Sequence, residues 1–224
     1  MTKTIEDLFF YAVFAADFFV IVQILFFYKQ SITHKVLGLL FFYCLFNSLS
    51  NVIPSYISSK ALYYSLALFT SVEYLVFALI FSLIIKNKKF KRLILYLSLF
   101  FIGFVIFNFH PERKSFDSLP IGVETILIMV YCFYYLYEQM NDLSTSFIYH
   151  RYHFWIAIGI LIYLGGSFFI YIFADKVDNS ILDDYWFLTY AFYIVKNIFF
   201  LIGIGHLISQ SKQSTLSRVK PYTN

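Results

Sequence analysis

The chain has 224 residues, of which 60% are hydrophobic and 13% are charged, and its mean hydropathy is +0.73. Because a soluble domain of this length carries about a quarter charged residues, the composition excludes an ordinary soluble protein. The net charge of +4 is read as membrane topology and not as a nucleic-acid surface, since basic residues of membrane proteins concentrate in loops on one side.

Apolar runs near twenty residues long follow one another along the chain, and about twenty helical residues cross the hydrocarbon core of a bilayer. The sequence therefore predicts an all-α fold, a polytopic bundle of seven transmembrane helices over residues 1–208 with no soluble domain. The predicted spans are 8–28, 36–56, 61–85, 93–109, 120–137, 154–174 and 185–208. Residues 209–224 are predicted to form a cytoplasmic tail.

The distribution of Lys and Arg predicts the orientation of this bundle. Eleven of the 17 basic residues fall on the side of the 209–224 tail, five fall on the other side, and Lys196 lies within a span. The segment 86–92, KNKKFKR, contributes five of the eleven. Because basic loops are retained in the cytoplasm, the prediction is N-outside and C-inside.

Ionisable and amide side chains at similar depths in different spans predict one buried polar layer. A charge in the middle of a membrane helix is costly, so it must face protein, water or a bound group. Spacings of three, four and seven place the polar residues on one stripe of each helix. The predicted layer consists of Asp17, Asn47, Asn51, Glu73, Glu124, Tyr193, Lys196 and Asn197.

This layer has two interpretations. One base against three acids favours a protonatable or cation-accepting site that opens toward the outside, and intramembrane ionisable residues are usually functional. The alternative is structural: Lys196 pairs with Glu73 or Asp17 and fixes the helix arrangement, with Asn side chains as interhelical hydrogen-bonding groups.

Several segments from residue 61 onward resemble an uncharacterised family of small seven-helix inner-membrane proteins of Gram-negative bacteria. The resemblance is carried by apolar patterns around Glu73, Glu124, Trp155 and Asn197, in the segments YYSLALFTSVEYLVFALIFSLIIKNKKFKRLI, FWIAIGILIYLGGSFF and YIVKNIFFLIGIG. It implies seven spans in the inner, cytoplasmic membrane and carries no activity with it. The feature associated with the family at this point is Asn197, and the adjacent Lys196 is expected to be particular to this chain.

A retinal protein is the pigment alternative, because it needs a lysine in its seventh helix and an acidic counterion. Lys196 with Glu73 or Asp17 is similar to that minimum. Microbial rhodopsins, however, place an Asp four residues before the lysine, and Phe192 stands there in this chain. The sixth span also lacks the Trp and Pro expected around a retinal ring.

An intramembrane lipid hydrolase, resembling lysoplasmalogenases or ceramidases, is the enzyme alternative. His150, His153 and His206 lie near predicted cytoplasmic ends of helices and could share a metal with Asp142. The chain has no HExxH pattern, and a pair of histidines three residues apart at a membrane boundary arises readily by chance.

The absence of a catalytic motif or a phosphate-binding loop favours a non-enzymatic membrane protein without metal or cofactor. We expect a sensor or signalling accessory that binds a small ligand or a proton and acts through a membrane-protein partner. A structural subunit of a membrane complex is the simpler alternative. Beyond the lipid bilayer and that partner, no nucleic acid is expected to bind.

Overall fold

A computed structural model describes residues 3–27, 34–52, 59–109, 118–142, 147–173 and 179–219, and almost all of these residues are helical. A short 3₁₀ turn, Ile148–His150, precedes the sixth helix. The helices in chain order are α1 (Lys3–Phe26), α2 (Lys35–Val52), α3 (Ser59–Ile84), α4 (Lys88–Asn108), α5 (Ser118–Met140), α6 (Tyr152–Phe173) and α7 (Asn179–Val219). Each of these seven helices contains a stretch long and apolar enough to cross a membrane.

α4 begins five residues before the predicted span, so most of the predicted KNKKFKR loop is helical. The side chain of Asn87 caps this helix by accepting hydrogen bonds from the backbone N–H groups of Lys89 (2.9 Å) and Phe90 (3.4 Å). The carboxylate of Glu138 accepts the backbone N–H groups of Lys86 (2.7 Å) and Asn87 (2.8 Å). Capping therefore fixes a helix start that the hydropathy of the segment does not reveal.

α7 extends beyond the predicted span at both ends. The predicted loop 175–184 is helical from Asn179, and the predicted tail is helical as far as Val219. No Gly or Pro lies between His206 and Pro221, so no residue type in this stretch ends the helix early. α5 likewise continues to Met140, three residues past the predicted span 120–137.

Six helices pack in a closed ring in the order α1, α2, α3, α5, α6, α7, and α4 packs outside this ring against α3 and α5. The helices alternate in direction. We name the end at which α1, α3, α5 and α7 begin the N-terminal end of the bundle. The opposite end, which holds Lys86 and the first turns of α4, is named the basic end.

Glycines allow the close packing of α6 on α7. A Cβ atom added to Gly159 of α6 would lie 3.0 Å from the carbonyl oxygen of Lys196 in α7. A Cβ added to Gly203 of α7 would lie 2.9 Å from the carbonyl oxygen of Tyr152 in α6. Small residues let helix backbones approach each other in this way, and here they bring the Lys196 segment against α6.

Candidate functional site

Asp17 of α1 is the centre of a buried hydrogen-bond network. Its Oδ1 atom accepts hydrogen bonds from the Tyr193 hydroxyl (2.6 Å) and from Nδ2 of Asn197 (2.8 Å), both on α7. Its Oδ2 atom accepts from Nδ2 of Asn47 (2.7 Å) and from Oγ of Ser48 (3.2 Å), both on α2. Four donors thus compensate the burial of one carboxylate and tie α1, α2 and α7 together.

Lys196 and Glu73 are joined through a tyrosine and not by a direct ion pair. Nζ of Lys196 donates to the Tyr43 hydroxyl (2.5 Å), which in turn donates to Oε1 of Glu73 (2.6 Å). In the described parts of the chain, the ion pairs closer than 4.0 Å lie at the basic end. The direct pairing of Lys196 with Glu73 or Asp17 that a structural role predicted is therefore replaced by a bridging Tyr43.

Aromatic rings surround the Lys196 ammonium group. Among the described residues, the rings with centroids within 6.0 Å of Nζ belong to Tyr43, Phe77, Tyr163, Tyr193 and Phe200. Tyr193 is nearest at 3.5 Å, followed by Tyr43 at 4.2 Å and Tyr163 at 4.4 Å. Such contacts stabilise a desolvated cation by about 2 kcal/mol each, so the rings take much of the role of a counterion.

A cavity of about 180 Å³ lies between the helices at the N-terminal end of the bundle. Its polar lining comes from five helices and consists of Asn47, Ser50, Asn51, Ser65, Thr70, Glu73, Glu124, Thr189 and the hydroxyl-bearing tyrosines. Its aromatic lining consists of Phe69, Tyr163, Tyr171, Trp186, Tyr190 and Tyr193. Apolar walls with a few convergent polar groups are typical of small-molecule sites.

Glu124 of α5 differs from the other buried acids because one of its oxygens is unpaired. The residue is 1% exposed, it lines the cavity, and its Oε1 atom has no hydrogen-bond partner among the described residues. The neighbouring Thr125 hydroxyl is also buried without a partner. Buried polar atoms without a partner are rare in folded proteins, so each of them requires an explanation.

The structure brings the eight predicted residues together at the N-terminal half of the bundle, but in two different settings. Those that line the cavity are Asn47, Asn51, Glu73, Glu124 and Tyr193. The other three, Asp17, Lys196 and Asn197, are fully buried in the network behind the cavity wall. Glu73, Asn47 and Tyr193 belong to both settings and connect them.

Sequence reasoning missed most of the aromatic lining. Tyr163 contacts both the cavity and the Lys196 ammonium group, yet α6 carries none of the predicted residues. A signal was present on α7, where Trp186, Tyr190 and Tyr193 recur at the spacing of one helix face. Ser48 was also missed, since a serine within an apolar run gives no hint of its partner.

The surroundings of Lys196 do not favour the retinal alternative. Lys196 does not line the described cavity, and its amine is enclosed by the rings of Tyr43, Tyr163 and Tyr193. Phe192, at the position of the rhodopsin Asp, packs its ring against Gly166 of α6. The Lys196 amine is thus separated from the described cavity by tyrosine rings, and Phe192 is occupied by packing on α6.

The residues of the hydrolase alternative have other partners. The carboxylate of Asp142 pairs with Lys86 and with Arg151 (3.5 Å). The His206 ring stacks on Trp155 with centroids 5.6 Å apart. Within the described ranges, no three or more His, Cys, Asp and Glu side chains are grouped to hold a metal ion.

The resemblance of the chain to another protein family is carried by its sequence segments and by no other comparison. The residues Glu73, Glu124, Trp155 and Asn197, around which the chain resembles the seven-helix inner-membrane family, lie on the described helices α3, α5, α6 and α7. Membership of that family stays a prediction. Comparisons with protein-family models, with curated proteins and with solved structures find no match for this chain.

Proposed function

We propose that this protein is a multi-pass membrane receptor component that binds a small polar ligand in the cavity and acts through a membrane-protein partner. The observation that carries the proposal is the junction between cavity and network. Glu73 and Tyr193 line the cavity, and their oxygens also hydrogen-bond within the network that joins α1, α2, α3 and α7. A ligand that contacts either side chain therefore acts on the packing of four helices.

Membrane insertion is supported by the apolar outer surface of the bundle. Large apolar side chains such as Phe26 (81% exposed) and Phe107 (82% exposed) point away from the protein. A soluble monomer does not expose so many of them, whereas lipid tails would cover them. With Lys86 and the basic turns of α4 in the cytoplasm, the N-terminal end and its cavity face outward. The inner membrane is the proposed location.

α7 supplies a physical route from the cavity to the other side of the membrane. Its 41 residues correspond to about 60 Å of helix, roughly twice the hydrocarbon thickness of a bilayer. Thr189 and Tyr193 line the cavity, while the last turns up to Val219 lie beyond the candidate span Tyr185–Gln210. A partner that contacts the last turns of α7 would sense a shift of this helix.

Thiol labelling tests the topology and the opening of the cavity. In a background that carries Cys44→Ala and Cys132→Ala, we expect Asn51→Cys to react with a membrane-impermeant thiol reagent on intact cells. Lys89→Cys at the basic end should react only after permeabilisation. Leu99→Cys, on the exposed face of α4, is the control that lipid should protect in both conditions. The reverse pattern for the first two variants would show the opposite orientation.

Ligand-dependent melting and co-purification test the binding role. A panel of small cationic, neutral and anionic metabolites is screened by thermal unfolding of the purified full chain, and we expect stabilisation that Asn51→Phe abolishes by filling the cavity. Affinity purification in mild detergent should recover a membrane partner that is lost when residues 211–224 are deleted. A stoichiometric partner without any stabilising compound would instead favour a structural subunit. If neither appears, the proposal is wrong.

A further inference from the structure

We propose that the ligand of this cavity carries an ammonium group and that Glu124 is its counter-charge; this inference rests on the proposed binding function. It goes beyond that function because it names the chemical class of the ligand and the residue that selects it. Three observations carry it: the imbalance of charge at the cavity, the unpaired carboxyl oxygen, and the aromatic walls.

The charges around the cavity favour a cation. Asp17, Glu73 and Glu124 are acidic, and Lys196 is the only basic residue among the predicted layer that the structure places with them. An anion that entered the cavity would meet the carboxyl groups of Glu73 and Glu124 in its walls. Like charges at such short range in a protein interior repel strongly, so an ionised Glu73 or Glu124 disfavours an anion in the cavity.

Glu124 is the acid that still lacks a partner. Asp17 accepts four hydrogen bonds, and Glu73 accepts the hydroxyl that Tyr43 directs at it. Oε1 of Glu124 is buried at the cavity wall without a donor among the described residues. A carboxyl group in this setting either keeps a proton or is neutralised by a cation beside it. Glu124 lines the cavity, so a cation bound there would lie beside this carboxyl group.

The aromatic walls suit an ammonium group in particular. Ring faces attract cations, and quaternary ammonium ligands such as choline are bound in proteins by cages of aromatic rings. The chain already holds one ammonium group in this way, since Nζ of Lys196 lies 3.5 Å from the Tyr193 ring and 4.4 Å from the Tyr163 ring. The same two tyrosines line the cavity, together with Trp186.

The size of the cavity restricts the ligand to a small head group. A volume of about 180 Å³ is close to that of cavities of about 150 Å³ that admit benzene. Choline and ethanolamine are of this size. A free amine and the amine head group of phosphatidylethanolamine share this chemistry, and the experiment separates these two sources.

Fluorescence of Trp186 provides the test, because the chain has two tryptophans and Trp155 lies on the first turn of α6 at the basic end. The full chain with Trp155→Phe, purified in detergent, is titrated with choline and with its neutral isostere 3,3-dimethyl-1-butanol. We expect choline to change Trp186 fluorescence and to raise the melting temperature, and the isostere to bind at least about tenfold more weakly.

Glu124→Gln in the same background should weaken choline binding at least about tenfold while the protein remains folded, since only the charge is removed. Glu138→Gln is the matched control, because Glu138 lies on the same helix at the basic end. It should leave choline affinity unchanged. Melting curves of both variants without choline establish that each is folded.

Nanodiscs distinguish the source of the amine. If a lipid head group is the ligand, Trp186 fluorescence should differ between nanodiscs of phosphatidylethanolamine and of phosphatidylglycerol, and Glu124→Gln should abolish the difference. Equal spectra in the two lipids, with choline binding retained, identify a free amine.

Three results overturn the inference. They are equal affinity for choline and its neutral isostere, unchanged choline affinity in Glu124→Gln, and no response to any amine in detergent or in either lipid. In each case, stabilisation by a neutral or anionic compound from the wider panel would leave the binding function standing. Only the absence of any stabilising compound would remove both proposals.

Discussion

Two buried carboxyl groups, Asp17 and Glu124, show how the same chemistry serves two purposes in one bundle. Both are almost completely buried, at 0% and 1% exposure. Asp17 accepts hydrogen bonds from two neighbouring helices through both of its oxygens. Glu124 keeps an oxygen without a partner at the cavity wall. A satisfied acid holds helices together, whereas an unsatisfied one is available to a ligand.

The contrast extends from these residues to the regions around them. At the junction of α1, α2 and α7 both oxygens of Asp17 accept hydrogen bonds. Two buried oxygens there, Oε1 of Gln23 and Oδ1 of Asn197, have no partner among the described residues. α5, on the other side of the cavity, carries four of the six buried side-chain atoms that lack a partner in the described chain, namely those of Ser118, Glu124, Thr125 and Tyr135. Unpaired buried groups weaken folding, and Glu124 is the one of these four residues that lines the cavity.

The sharpest test of this comparison neutralises each acid in turn. Asp17→Asn replaces an acceptor oxygen by an amide that faces donors, so it should lower the free energy of unfolding by about 3 kcal/mol and the melting temperature by about 6–12 °C. Glu124→Gln should shift the melting temperature by less than about 2 °C, because no hydrogen bond to Oε1 is lost. Thermal unfolding of both variants in the same detergent measures the difference. Equal losses would show that Glu124 is also structural.

The sequence predicted the helices and the buried polar residues because both follow from the cost of polar groups in lipid. Run length and hydropathy are sufficient for seven helices, and the cost of charge brings Asp17, Glu73 and Lys196 into the interior. The ends of α4 and α7 could not be predicted in this way. Hydropathy marks where a chain leaves the membrane, while capping by Asn87 and the absence of a helix-breaking residue decide where a helix begins and ends.

The sequence could not predict which helices are neighbours. Helical spacing shows the polar face of each helix, but the bridge from Lys196 through Tyr43 to Glu73 depends on how α7, α2 and α3 face one another across the interior of the ring. Helix α4 lacks any residue of the predicted layer, which agrees with its position outside the ring. α6 also has no residue of the predicted layer, yet it contributes Tyr163 to the site. The lack of a predicted polar residue therefore does not show that a helix lies away from the site.

A substitution at Tyr43 tests how much the hydrogen-bond bridge between Lys196 and Glu73 contributes to stability. Tyr43→Phe removes the hydroxyl that joins Lys196 to Glu73 and leaves both groups without that partner. We expect a loss of about 2 kcal/mol in the free energy of unfolding. Tyr135→Phe is the matched control, since the buried Tyr135 hydroxyl has no partner in the described chain and its removal should be neutral or stabilising. A melting temperature for Tyr43→Phe equal to that of Tyr135→Phe would show that the bridge contributes nothing.

The smallest expected effect comes from the backbone that supports Lys196. Gly159→Ala places a Cβ 2.9 Å from Cβ of Phe199 and 3.0 Å from the Lys196 carbonyl oxygen, so α6 and α7 must separate slightly. Overpacking typically costs 1–3 kcal/mol, and the better helix propensity of Ala returns about 1 kcal/mol, which leaves a net loss of about 1 kcal/mol. Gly165→Ala on the same helix meets no atom within 4 Å and should be neutral or stabilising. Neither change alters a polar group. A lower melting temperature for Gly159→Ala alone would therefore show that close packing of α6 on α7 contributes to stability. The choline affinity of that variant should stay near that of the parent, since Glu124 lies on α5, and a large loss of affinity would mean that the two regions are not separable.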